Sequence, residues 1–165
     1  MPDIAIRPAR DADAEQIAAI YNEAVATTTA TFDTALESVE HRRRWLAEHD
    51  APQLPVLVAH QDDVVVGWAA LSRYSERCAY SSTVEVSTYV AAGQARRGIG
   101  MRLTEAVLEA GAAAGAHAVI ARICTENVGS LAMAERLGFE QVGVMREVGR
   151  KFERWRDVAI LERMT

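Results

Sequence analysis

The run Arg96-Arg97-Gly98-Ile99-Gly100-Met101 is the segment whose residue types and spacing most plainly serve chemistry. Ahead of it lies Thr83–Val90, which is β-branched, aromatic and alternating, the pattern of a strand. Behind it, Gly100–Ala114 carries Leu103, Val107, Leu108 and Ala110 as packing residues of a helix, with Gly115 as its stop. A strand, a short basic loop with glycines and a helix start direct several main-chain amides at one place, on the positive end of a helix dipole. Glycine lets the main chain approach an anion closely, because no Cβ intervenes. Arg96 and Arg97 add charge, so the predicted ligand is a phosphate or pyrophosphate. A Walker loop would need Gly-Lys-Ser/Thr, and a dinucleotide fingerprint would need a third glycine where Leu103 stands. Taken alone, the run also suits a tight turn into a helix.

The elements that must hold this loop follow from the rest of the chain. Ile4–Arg7 alternates as a short strand ended by Pro8, and Asp11 and Asp13 offer caps for a helix with Ile17, Ile20, Tyr21, Ala24 and Val25 on one face. Thr27–Thr31 reads as a loop. Thr34 with Glu37 resembles a capping box opening a second helix through about Glu48, with Arg42, Arg43 and Arg44 on a solvated face. Val56–Ala59 and Val64–Leu71 form a hairpin turning at Asp62-Asp63, and Ser72–Ser82 is irregular. His117–Ile123 is a buried strand, Ser130–Leu137 a short helix ended by Gly138, and strands return at Val142–Met145 and Asp157–Leu161. The expected fold is α+β, a mixed sheet with helices on both faces.

Composition narrows the function. A chain of 165 residues suits one domain, here 1–165. With 50% hydrophobic and 25% charged residues it is not disordered. A net charge of -5 argues against nucleic acid as a partner. No apolar run approaches the ~20 residues of a membrane span. Met1-Pro2-Asp3-Ile4 has an early acid and no apolar core, so it does not read as a secretory leader. Cys78 and Cys124 read as two buried free thiols in a reducing, cytoplasmic compartment. The four histidines have no metal spacing, so no metal is expected, and Trp45, Trp68 and Trp155 read as packing.

A second constellation, Asn127-Val128-Gly129-Ser130 followed by Leu137-Gly138-Phe139, suits helix caps on its own. Paired with the glycine loop, it resembles the GNAT superfamily of acetyl-coenzyme A dependent N-acetyltransferases. Ile20–Val25, Thr28–Phe32, Thr83–Val90 and the tail Val148-Gly149-Arg150-Lys151-Phe152-Glu153-Arg154-Trp155-Arg156-Asp157-Val158 look like the phosphinothricin/methionine sulfoximine acetyltransferase group. The resemblance implies the GNAT fold, a mixed, mostly antiparallel twisted sheet, and direct acetyl transfer from acetyl-CoA to the α-amine of a small amino-acid analogue.

The resemblance also implies roles. Arg96, Arg97, Gly98, Ile99, Gly100 and Met101 would bind the cofactor, the loop taking its pyrophosphate, and Asn127 and Ser130 would bind the cofactor too. The main chain of Thr88, Tyr89 and Val90 would pair with the pantetheine arm like an added strand, a free amide there polarising the thioester carbonyl. An amine attacks only when neutral, and Glu85 is the expected base, directly or through one water. Phe32 looks like the substrate-side aromatic. Arg73, Ser75, Arg77 and Tyr80 are expected at the acceptor, an arginine fork suiting its carboxylate. Two positions depart from the pattern: Ala95 stands where Gln or Arg is usual, and Ala134 where a Tyr or His proton donor is usual. A homodimer is expected from the family. The alternatives are another acceptor, such as a protein N-terminus or a polyamine, or a non-catalytic acyl-CoA-binding regulator.

Overall fold

The computed structural model describes residues 3–165. Met1 and Pro2, part of the leader reading, lie outside the described residues. The chain runs β1 (Ala5–Pro8), α1 (Ala14–Thr27), α2 (Val39–Glu48), β2 (Val56–Gln61), β3 (Val64–Arg73), β4 (Thr83–Val90), α3 (Ile99–Ala113), β5 (Ala118–Cys124), α4 (Val128–Arg136), β6 (Glu140–Lys151) and β7 (Arg154–Met164). Seven strands form one sheet in the order β1-β2-β3-β4-β5-β7-β6. β4 and β5 run parallel, and every other neighbouring pair is antiparallel.

Strict alternation in the central strands divides the core between the two faces of the sheet. Val56, Val58, Trp68 and Ala70 pack with Ile17, Ile20 and Tyr21 of α1. Leu57, Ala59, Ala69 and Leu71 pack with Ile99, Leu103 and Val107 of α3. Helices therefore lie on both faces, as expected.

The β4–β5 pairing is short. It runs from Thr83↔Ala118 to Glu85↔Ile120 and stops. β4 continues to Val90 on the β3 side, and β5 continues to Cys124 on the β7 side. The two strands diverge after Glu85, so the sheet is split there and one edge of β4 is left unpaired.

Several elements differ from expectation. The second helix starts at Val39, not after Thr34: Ser38 Oγ accepts the amide of His41 at 3.0 Å. The Asn22 side chain clasps both main-chain groups of Glu37 at 2.8 Å, which holds the chain extended until that point. Arg42 is not solvated. It is buried, ion-paired with Glu37 and sandwiched among the Tyr21, Trp45 and Trp68 rings at 4.4–5.1 Å. Arg43 and Arg44 are exposed, as expected. Asp13 precedes α1, but its carboxylate accepts from the Arg7 guanidinium (2.7 and 2.9 Å) and the Arg10 amide. Of the cysteines, only Cys124 is buried; Cys78 is exposed on the Ser72–Ser82 excursion. The α4 helix begins two residues early, capped by Asn127.

The largest difference is the β6–β7 hairpin, which spans 140–164 with its turn at Phe152-Glu153, both at positive φ (52° and 61°). Such φ values at both turn positions match the twist of a tight hairpin. β6 is an edge strand and exposed on most of its length, so its polar residues hide the strand pattern outside Val142–Met145.

Candidate active site

The split between β4 and β5 opens a cavity of about 600 Å³. Its walls draw on both faces of the sheet: Glu85 and Tyr89 from one, Thr88, Ala134 and Phe139 from the other. The cavity thus passes through the gap in the sheet. β4 contributes Glu85–Tyr89 to one wall and β5 contributes Ala121–Cys124 to the opposite one.

The start of α3 lies beside the cavity and not in its lining: residues 96–101 are absent from the walls, Thr104 one turn on reaches them, and a Cβ built on Gly100 would lie 3.6 Å from Met133, which lines the cavity. Gly98 takes a left-handed φ of +74°, and a Cβ built there would meet nothing within 4 Å, so backbone conformation rather than crowding demands glycine. The first intrahelical bond is Arg102 N–H to the Gly98 carbonyl at 3.1 Å, so the amides of Ile99, Gly100 and Met101 precede the helical ladder. Arg96 and Arg97 are exposed, and Arg97 reaches only Gln94. The Ile99 side chain is core. The Thr104 hydroxyl donates to the Gly100 carbonyl, so the Thr88 hydroxyl donates to Thr104 Oγ1 at 2.8 Å. Tyr89 turns its ring against Tyr21 and Trp68 (centroids 5.1 and 4.9 Å), and burial pushes its phenol up to about 12. With Thr88 and Tyr89 side chains committed, the main chain is what these two residues offer the cavity. Asn127 and Ser130 line it too, the Asn127 side chain accepting the Ser130 amide at 3.4 Å. Ala134 is buried in the wall and supplies no proton donor.

Glu85 sits where β4 and β5 part, and both its oxygens are engaged by Arg122 of β5. Arg122 Nε donates to Oε1 at 2.8 Å and Nη2 to Oε2 at 2.6 Å. Arg122 went unnoticed in the sequence, where it is one polar residue in a buried strand pattern.

The acceptor-side residues come together only in part. Ser75, Arg77 and Tyr80 line a second, shallower cavity of about 380 Å³ with Tyr74 and Arg122. Arg73 ends β3 and lines neither cavity. Phe32 lines the main cavity and lies on Gly149 of β6: a Cβ there would sit 2.2 Å from the Phe32 ring. The buried Lys151 donates to the Thr31 carbonyl at 2.7 Å, and burial lowers its pKa. Tyr21 bonds the hydroxyl of Thr31 at 2.9 Å and the carboxylate of Asp33. Asp157 accepts the amide of Glu147, itself at φ +50° in a bulge of β6, at 2.8 Å. The tail motif therefore clamps the Thr29–Asp33 loop against the cavity.

A sheet split at a parallel pair, with a free strand edge leading to a glycine-started helix, is the architecture of an acyl-CoA-dependent acyltransferase. The chain belongs to the GNAT acetyltransferases: the model of the acetyltransferase (GNAT) domain matches residues 6–160. It is 39% identical over 164 residues to a phosphinothricin N-acetyltransferase of Streptomyces coelicolor, covering 98% of this chain and 96% of that one. It is 36% identical to an L-methionine sulfoximine/L-methionine sulfone acetyltransferase of Pseudomonas aeruginosa, over 95% and 92% of the two chains. The fold superposes with a TM-score of 0.94 on a crystal structure of a GNAT superfamily phosphinothricin acetyltransferase from Sinorhizobium meliloti in complex with AcCoA, at 31% identity and covering 99% and 89%. No helix among the described residues is long and apolar enough to cross a membrane.

Proposed function

We propose that the enzyme, acting as one domain over 1–165, transfers acetyl from acetyl-CoA to the α-amine of a small amino-acid analogue of the phosphinothricin or methionine sulfoximine type, in a ternary complex. The observation that carries this reading is Glu85 at the vertex of the β4–β5 split, between an unpaired strand edge and an arginine-lined outer basin.

The residues present fit acetyl-CoA. The open space and positive φ at Gly98, and the amides of Ile99, Gly100 and Met101, suit a diphosphate. Arg96 and Arg97 supply long-range charge there, and Asn127 and Ser130 supply polar groups on the opposite wall. The Thr88–Val90 main chain suits an extended amide-bearing arm. When bound, acetyl-CoA supplies an acyl group already activated as a thioester.

Glu85 takes the proton of the incoming ammonium, directly or through a water, so that the amine is neutral when it reacts. Its two oxygens keep acceptor capacity beyond the Arg122 fork, since each carries two lone pairs. Phe32 walls the acceptor, and Arg77, with Ser75 and Tyr80, faces its carboxylate. Arg73 lies outside this group. With Ala134 in the wall, a side-chain acid for the leaving thiolate is dispensable, because a thiol pKa near 8.5 makes thiolate a tolerable leaving group.

Free cysteines suit a cytoplasmic enzyme. The exposed Val142, Val144 and Trp155 of the β6–β7 hairpin support a homodimer.

A CoA-release assay over amino acids, phosphinothricin, methionine sulfoximine, polyamines and peptides tests the reading. Turnover highest with the free amino-acid analogues is the expected result. Preference for peptides or polyamines would replace the acceptor, and no release with any amine would make the chain an acyl-CoA-binding protein only.

A further inference from the structure

Arg122 has a position that the reaction as described leaves unused. Among the described residues it alone lines both cavities: it lines the main one with Glu85, and with Tyr74, Ser75, Arg77 and Tyr80 it walls the outer basin. Its Nε and Nη2 are taken by Glu85. Nη1 makes no hydrogen bond to the described residues, and the side chain is 54% exposed. Among the described residues no carboxylate lines the outer basin, which holds two guanidinium groups together with the Tyr74 and Tyr80 rings, themselves edge-to-face at 5.4 Å. Such a basin attracts an anion.

An α-amino acid carries its amine and its carboxylate on one carbon. The two groups therefore match a carboxylate and a guanidinium that are hydrogen-bonded to each other. Resting on the acceptor reading above, we infer that the Glu85–Arg122 pair is the specificity element of the site: Glu85 faces the amine while Arg122, backed by Arg77, takes the α-carboxylate. An α-amide, as in a peptide N-terminus, gives these two arginines no charge to pair with and desolvates them without return. The pair thus selects free α-amino acids against peptides.

The experiment compares L-methionine sulfone with its α-amide in the wild type, Arg122→Gln and Arg122→Lys, reading kcat and KM separately. Acetyl-CoA affinity and melting temperature are recorded for each variant. The wild type is expected to favour the acid by about 10²-fold in kcat/KM, the worth of a charge-assisted pair or two. In Arg122→Gln this ratio should fall by about tenfold or more through the KM of the acid, with acetyl-CoA affinity kept. Arg122→Lys, which keeps the charge and loses the fork, should lie between. Should Arg122→Gln fail to fold, Arg122→Lys alone carries the test: a fall in the ratio through the KM of the acid is expected, and an unchanged ratio overturns the inference. A ratio unchanged in Arg122→Gln, with both acceptors losing kcat equally, would mean that Arg122 only orients Glu85, and would overturn the inference while the acceptor reading stands. A wild type that acetylates neither compound, or prefers the amide, would remove both.

Discussion

The two ends of the cleft are built in different ways. In the proposed reading the cofactor end draws mainly on main chain from one continuous stretch, the β4 edge and the first turn of α3, residues 86–101, with Asn127 and Ser130 on the wall opposite. The proposed acceptor end is made of side chains from three separate stretches, Phe32, Arg77 and Arg122, with the Gly149–Lys151 tail holding Phe32 and its loop in place. A main-chain site needs the right backbone conformation and little else, so it tolerates side-chain change. A side-chain site depends on contacts between residues far apart in sequence, and each contact is a place where specificity can be altered without touching the chemistry.

The largest test of this contrast is Gly98→Val. Left-handed backbone costs a non-glycine residue about 1–2 kcal/mol, and amides turned off an anion forfeit about 1.5–3 more. Acetyl-CoA affinity measured by calorimetry should fall by roughly 10²- to 10³-fold. Arg97→Ala, a side-chain change at the same end, should cost no more than about fivefold, because exposed charges are screened. Equal effects of the two substitutions would break the comparison. Next comes Glu85→Gln, at the junction of the two ends. It should lower turnover by about 10²-fold with acetyl-CoA affinity intact, and the deficit should shrink at high pH, where more amine is already neutral. A turnover near that of the wild type at neutral pH would move the base elsewhere.

Gly149→Ala probes the acceptor end alone. The new Cβ would lie 2.2–2.3 Å from two ring carbons of Phe32, so the ring must leave its position. The acceptor KM should rise about 3- to 10-fold, the worth of one aromatic contact, with acetyl-CoA affinity unchanged. Phe32→Ala should do the same, and the double variant should be no worse than Phe32→Ala, since both act on one contact. Additive losses would mean that Gly149 serves the hairpin and not the ring.

This contrast also decides what could be read from the sequence. The glycine loop, β4, α3 and the Asn127 cap are local, and their residue types name their geometry. The hairpin β2–β3 and the alternation that splits the core are equally local. Lys151 meets Thr31 across 120 residues and Arg122 meets Glu85 across 37, and no periodicity encodes such a meeting. Gly149 carries a signal in the tail motif, but its reason, room for Phe32, exists only in three dimensions. Arg42 shows the same limit from the other side. A triple arginine run implies solvent, yet the middle of an aromatic cluster and the Glu37 carboxylate take its first member. Glu37 was freed from the expected cap by Asn22, fifteen residues earlier.

The smallest expected effect concerns His49, which ends α2 and ties it to β3 behind Glu85. Its ring lies against Trp45, tilted by 48° with centroids 4.1 Å apart. Nδ1 lies 2.7 Å from the Trp45 carbonyl and must donate to it, so in the neutral ring Nε2 accepts the Ser72 hydroxyl at 3.0 Å. Ser72 is the cross-strand partner of Glu85. Burial lowers the His49 pKa from its ordinary 6.5, with Arg42 and Arg73 acting the same way and the Trp45 bond and Glu48 opposing. The folded state thus holds this ring neutral at a pH where the unfolded chain already binds the proton. Stability is full above about pH 6.5, falls as the pH drops through that value, and levels off below the lowered folded-state pKa, where both states are protonated. His49→Gln keeps a hydrogen-bonding amide toward Ser72 and removes the titration. Melting temperatures measured from pH 8 to pH 5 should therefore fall less steeply in His49→Gln than in the wild type, whatever the offset between them at pH 8. Parallel curves would show that His49 is protonated with equal ease in both states, and that the tie between the end of α2 and β3 is insensitive to pH.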